Sequence, residues 1–88
     1  MHKDIQDFLN YLESARNYSE HTVKSYKNDL LKFEGFIQKN NFQKWADIKQ
    51  ADIREFIGSY RRNGLSPRSI ARLLSSLRSF YKYLNIEG

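Results

Sequence analysis

The stretch GLSPRSIARLLSSLRSFYKYL, residues 64–84, decides the fold and poses the functional question. Ser66 followed by Pro67 is a helix start: serine caps the first turn, and proline fits the first helical position, where no N–H is needed. Gly64 fits the left-handed position just past a preceding helix. From Pro67 to Leu84 the spacing predicts one amphipathic helix with Ile70, Leu73, Leu74, Leu77, Phe80, Tyr81 and Leu84 inward. Arg68, Arg72, Ser75, Ser79 and Lys82 fall opposite, with Ser69 and Ser76 on one flank and Arg78 on the other. No acid occurs between Gly64 and Ile86. A solvated helix face more commonly alternates acids and bases.

Working outward, three more segments carry helical periodicity. Ile5, Phe8, Leu9 and Leu12 place a first helix over about 3–15, ending near Asn17. Ser19 is the expected N-cap of a second, Glu20 to about Lys39, with Val23, Tyr26, Leu30, Phe33 and Ile37 inward and Tyr18 and Val23 as a hydrophobic staple. Asp29 lies between its apolar and polar faces. The sequence NNFQKWADIKQ breaks the pattern, with Trp45 and Ile48 folded onto the core and Asp47 capping a short turn. A third helix follows over about 51–63, with Ile53, Phe56, Ile57 and Tyr60 inward. The final NIEG, residues 85–88, reads as a frayed end or a linker. No strand alternation, repeat or low-complexity tract is present, so the fold class is all-α, a compact bundle of four or five helices.

Eighty-eight residues make one small domain. With no cysteine, there is no disulfide framework or thiolate metal site, which suits a reducing cytoplasm. Six Phe, six Tyr and Trp45 supply large buried area in place of covalent staples. No apolar run reaches membrane-spanning length, and no phosphate loop, calcium loop or metal-spaced histidine cluster occurs. A soluble, cytoplasmic chain without cofactor is expected.

Charge is segregated along the chain. Residues 1–60 hold nine bases and nine acids, whereas residues 61–88 hold six bases against Glu87 alone. The whole net charge of +5 therefore sits in the last third. Such asymmetry points to an anionic partner, nucleic acid before a membrane surface. Short serine hydroxyls allow close backbone approach and donate to phosphate. Arginines at i, i+4 spacing fork onto phosphate or guanine. A helix about as wide as the major groove, built in this way, is suited to reading DNA. Thr22, Lys24, Ser25, Asn28 and Lys32 form a second polar surface on the second helix, acid-free along its centre. The competing reading of each surface alone is a solvated helix face.

At this point two segments carry a resemblance. YSEHTVKSYKNDLLKFEGFI (18–37) and ADIREFIGSYRRNGLSPRSIARLLSSLRSFYKYL (51–84) resemble the N-terminal core-binding domain of tyrosine recombinases, the phage integrase and Xer class. The matching positions include Ser19, Thr22, Tyr26, Asp29, Leu30 and Phe33, then Gly64, Ser66, Ser69, Arg72, Leu77, Arg78 and Phe80. The resemblance covers about residues 3–85; Ser69 stands where the family more often has threonine. It implies a SAM-like fold whose second and fourth helices face the major groove of a recombination half-site. It also implies a first helix against a neighbouring protomer, and residues 85–88 as the start of a linker toward a separate catalytic domain. Combined with the polar faces, it makes Thr22, Lys24, Ser25, Asn28, Ser66, Arg68, Ser69, Arg72, Ser75, Ser76, Arg78 and Ser79 the candidate DNA-binding residues.

The family's catalytic Arg, Lys, His-x-x-Arg and Tyr set lies in that other domain. Here the histidines are His2 and His21, and HTVK is not His-x-x-Arg, so this segment is expected to bind rather than cut. The expected partners are double-stranded DNA and neighbouring protomers, with no membrane. A reading from another class is a helical interaction module that self-associates through exposed Leu31 and Phe36. Arg61 and Arg62 are either a phosphate contact or a solvated last turn that complements the dipole of the third helix, the second being the preferred reading.

Overall fold

The protein is described here by a computed structural model that covers the backbone of residues 1–87 and the side chains of residues 1–85. Four α-helices, α1 (His2–Ser14), α2 (Glu20–Lys39), α3 (Gln50–Arg62) and α4 (Pro67–Glu87), are joined by short connections, with one 3-10 turn at Trp45–Asp47. Among the described residues there is no strand, as the periodicity predicts. No described helix is long and apolar enough to cross a membrane.

The helix boundaries follow from local chemistry. Ser19 Oγ accepts from the Thr22 N–H at 3.2 Å and caps α2. Ser66 does the same for α4 through the Ser69 N–H at 3.2 Å. Asn17 and Gly64 take the left-handed conformation, with φ of 55° and 91°, after α1 and α3. Asp47 ends the 3-10 turn, and its side chain caps no helix among the described residues; the carboxylate at the start of α3 is Asp52, which accepts from the Lys49 N–H at 2.8 Å. Helix α4 continues to Glu87, beyond the expected end at Leu84; Gly88 lies outside the described residues.

Helices α2 and α4 form the spine: α4 packs on α1, α2 and α3, and α1 also packs on α2. Phe8, Phe33, Phe56 and Phe80 are fully buried. Their rings meet edge-on or tilted, Phe8 to Phe80 at 5.4 Å and Phe33 to Phe56 at 5.3 Å, which are favourable aromatic geometries. Trp45 closes one end of the core, its ring edge-on to Phe80 at 4.9 Å and its Nε1–H donating to Asp4 at 2.7 Å. Asp4, in the first turn of α1, thereby ties the loop to that helix. Phe36 is a correction: expected to be exposed, it is half-buried, with its ring against Phe56 at 5.1 Å. Leu31 is exposed.

Candidate nucleic-acid interface between α2 and α4

Contact between α2 and α4 makes a cleft of about 260 Å³ lined by Thr22, Ser25, Tyr26, Arg72, Ser75 and Ser76. Five of the candidate residues thus meet in one place, two from α2 and three from α4. On α2, Thr22 shares a hydrogen bond with Ser19 at 2.9 Å, and the Ser25 hydroxyl donates back to the His21 carbonyl at 3.3 Å. Small hydroxyl side chains leave this wall low.

The floor of the interface is an ionic cluster that no local spacing announces. Asp29 is 1% exposed. It accepts from Arg72 Nε (3.0 Å, to Oδ2), from Arg72 Nη2 (2.9 Å, to Oδ1) and from Ser76 Oγ (2.8 Å, to Oδ2). A buried carboxylate is costly unless paired and hydrogen-bonded, and three charge-assisted bonds meet that demand. The same hydrogen bonds, and then the carboxylate's charge, raise the Arg72 guanidinium above its ordinary value. Arg72 stays cationic, and half of its side chain remains exposed to the cleft.

Ser76 needs correction as a surface contact. It is 2% exposed, and its hydroxyl is spent on Asp29. It stands only about 40° round the helix from Phe80, on the side where α2 packs. Its chemistry is to hold the carboxylate, not to meet a ligand.

The other candidates spread around α4. Ser79, half-buried, faces the groove toward α1 with Tyr11, Arg16, Tyr18 and Lys82. Arg78 is exposed on the opposite flank, beside Arg54 and Tyr81 toward α3, and does not join the cleft. Lys24 and Asn28 are exposed farther round α2 and do not line the cleft either. At the start of α4, Arg68 is exposed, while Ser66 and Ser69 bond each other at 3.1 Å. That N-terminus offers less than a bare helix end. Pro67 has no N–H, Ser69 donates to Ser66 Oγ, and Ile70 donates to the Ser66 carbonyl, which leaves the Arg68 N–H.

Asp29 and Tyr26 are the site residues that the polar-face reading missed. The available signal was that an acid three positions after Tyr26 and four before Phe33 shares their inward stripe, where it requires a cation. Arg62, exposed in the last turn of α3, pairs with Glu55 two turns earlier at 3.0 Å.

The chain is similar over its whole length to "Tyrosine recombinase XerC" of Stutzerimonas stutzeri (39% identity over 88 residues, 29% of that protein). It is equally similar to the protein of that name from Pseudomonas fluorescens, at 40% identity over 88 residues and 29% of its length. The Azotobacter vinelandii protein shows 38% identity over 88 residues, again 29% of its length. The chain thus spans under a third of the curated relatives it matches. No solved structure matches it at a significant level. Residues 5–88 match the family described as phage integrase, N-terminal SAM-like domain, and with a matching helical bundle around these residues the chain belongs to that family.

Proposed function

We propose that this chain is a double-stranded DNA-binding domain that supports site-specific recombination, gripping one side of a recombination half-site with α2 and α4. The observation that carries the reading is the cleft in which Thr22 and Ser25 of α2 face Arg72 and Ser75 of α4, on the arginine- and serine-bearing side of that helix. Small hydroxyls admit a closely approaching backbone, and the flanking cations Arg68 and Lys82 supply charge for phosphates. The printed name of the relatives, tyrosine recombinase, supplies the reaction to which such binding contributes. Strand cleavage belongs in this reading to the part of those proteins that this chain does not span. The compartment is the cytoplasm, where chromosomal and phage DNA are met, and neighbouring protomers on DNA are the protein partners.

The test is titration of labelled duplex DNA with the 88-residue chain, read by anisotropy across salt concentrations. Binding that weakens steeply with salt is expected, because phosphate contacts release counterions. Absence of binding to any duplex at low salt would refute the proposal.

One observation favours a second reading. Leu31, 44% exposed, borders a groove of about 560 Å³ between α2 and α3 that also contains Phe36, Phe56 and Tyr60. Concentration-dependent self-association without duplex binding would support an interaction module instead.

A further inference from the structure

Arg72 meets Asp29 through one edge of its guanidinium. Nε and Nη2 are the donors, at 3.0 and 2.9 Å. A guanidinium carries five donors in a rigid fork, so its terminal edge, Nη1 with the second Nη2 hydrogen, is left over. No described residue bonds to Nη1. Half of the side chain is exposed, and it borders the cleft with Thr22, Ser25 and Ser75.

This arrangement changes what Arg72 offers in two ways. A side chain already held by two bonds has given up its rotamer freedom, so a later bond to a ligand costs less ordering entropy. The buried carboxylate also cancels the cation, so the pair presents a directional donor edge with almost no net charge. Attraction to phosphate depends on net charge and counterion release. Paired acceptors on a base edge require donor geometry instead, and guanine N7 and O6 are the pair that an arginine edge matches in the major groove.

We infer that Asp29 is a positioning residue that fixes Arg72 so that its terminal edge reads a guanine, with Ser76 fixing Asp29 in turn. This rests on the DNA-binding reading above and adds to it the specificity contact and its support. Arg68 and Lys82, on the same stripe of α4, then supply phosphate attraction, and Arg72 supplies base preference.

The experiment uses the 88-residue chain as wild type, Asp29→Asn, Arg72→Lys and Ser76→Ala, each checked for helicity by circular dichroism. Duplexes enriched by the wild type from a random-core library serve as probes, with every base pair then replaced in turn. Replacing one guanine is expected to weaken wild-type binding about ten-fold and binding by Asp29→Asn or Arg72→Lys less than about three-fold. The dependence on salt should be the same in wild type and Arg72→Lys. ¹⁵Nε relaxation should show Arg72 as ordered as the backbone in the free wild type and mobile in Asp29→Asn.

Duplex binding with no such guanine, a guanine preference unchanged in the folded variants, or a mobile Arg72 Nε in the free wild type would each overturn the inference while leaving the DNA reading intact. A wild type that binds no duplex at all overturns the DNA reading and this inference with it. If Asp29→Asn does not fold, Arg72→Lys and the wild-type relaxation data decide.

Discussion

Asp29 and Arg72, 43 positions apart, are joined by two hydrogen bonds of 3.0 and 2.9 Å that tie α2 to α4 at the floor of the cleft. The two partners are unequally placed: the carboxylate is 1% exposed and the arginine side chain 49%. The pair is therefore a buried acid satisfied by a cation that still reaches solvent.

That inequality predicts unequal mutational costs. Arg72→Ala strands a buried carboxylate with Ser76 alone and should destabilise the fold by about 3 kcal/mol. Asp29→Ala releases an arginine that can rehydrate, leaving a small void and one idle hydroxyl, and should cost only about 1–2 kcal/mol. Urea denaturation of the two variants measures the difference. Equal costs would mean that Asp29 is better solvated than its burial indicates.

Tyr81 carries the one buried side-chain polar atom without a hydrogen-bond partner among the described residues, its Oη. Burial pushes its phenol from 10.0 up to about 12. The native state therefore holds the proton more tightly than the unfolded chain. Stability from the neutral phenol is complete below pH 10.0 and is lost as pH rises toward about 12. Tyr81→Phe should remove that alkaline loss. At neutral pH it should leave stability unchanged or raise it by about 1 kcal/mol, because the orphaned hydroxyl is gone. Chemical denaturation of both proteins at several pH values between neutrality and the alkaline limit tests both parts.

How much of this was legible in the sequence depends on the range of the interaction. Ser19, Ser66 and Gly64 act within a few positions of themselves, so caps and turns could be read directly. The apolar stripes of all four helices were likewise periodic and local. The Asp29–Arg72–Ser76 cluster was not legible as a contact, because helical periodicity gives a residue's angle on its own helix but not what packs there. Ser76 shows the consequence: it sits at the edge of the polar face, and the proximity of α2 turned that edge inward. Arg78, on the other flank, stays exposed but borders the groove toward α3 and not the cleft. Charge counting had a similar limit, since it assigned Arg72 a free positive charge that Asp29 cancels.

That cancellation separates the arginines of α4 by their dependence on salt. Arg68 is exposed with no ion-pair partner among the described residues, whereas Arg72 is paired. If the chain binds duplex DNA, Arg68→Ala should flatten the plot of log affinity against log salt by about one unit. Arg72→Ala should change that slope far less, although it weakens binding to a preferred site. Parallel salt titrations of the two variants on one duplex decide the matter, and equal slopes would remove the distinction between charge and geometry.

Gly35 and Gly64, both exposed, should respond to alanine with opposite signs. A Cβ at either would meet nothing within 4 Å, so neither effect is steric crowding by neighbours. Gly64 has φ of +91°, a conformation that an L side chain resists, and Gly64→Ala should cost about 1–2 kcal/mol. Gly35 lies inside α2 with ordinary helical backbone, where alanine restricts the unfolded chain more than glycine does. Gly35→Ala should therefore stabilise the domain by about 0.5–1 kcal/mol. Thermal and urea unfolding of the two variants give the signs. A neutral Gly64→Ala would show that the α3–α4 turn can relax out of the left-handed region without disturbing the Ser66 cap that starts the basic helix.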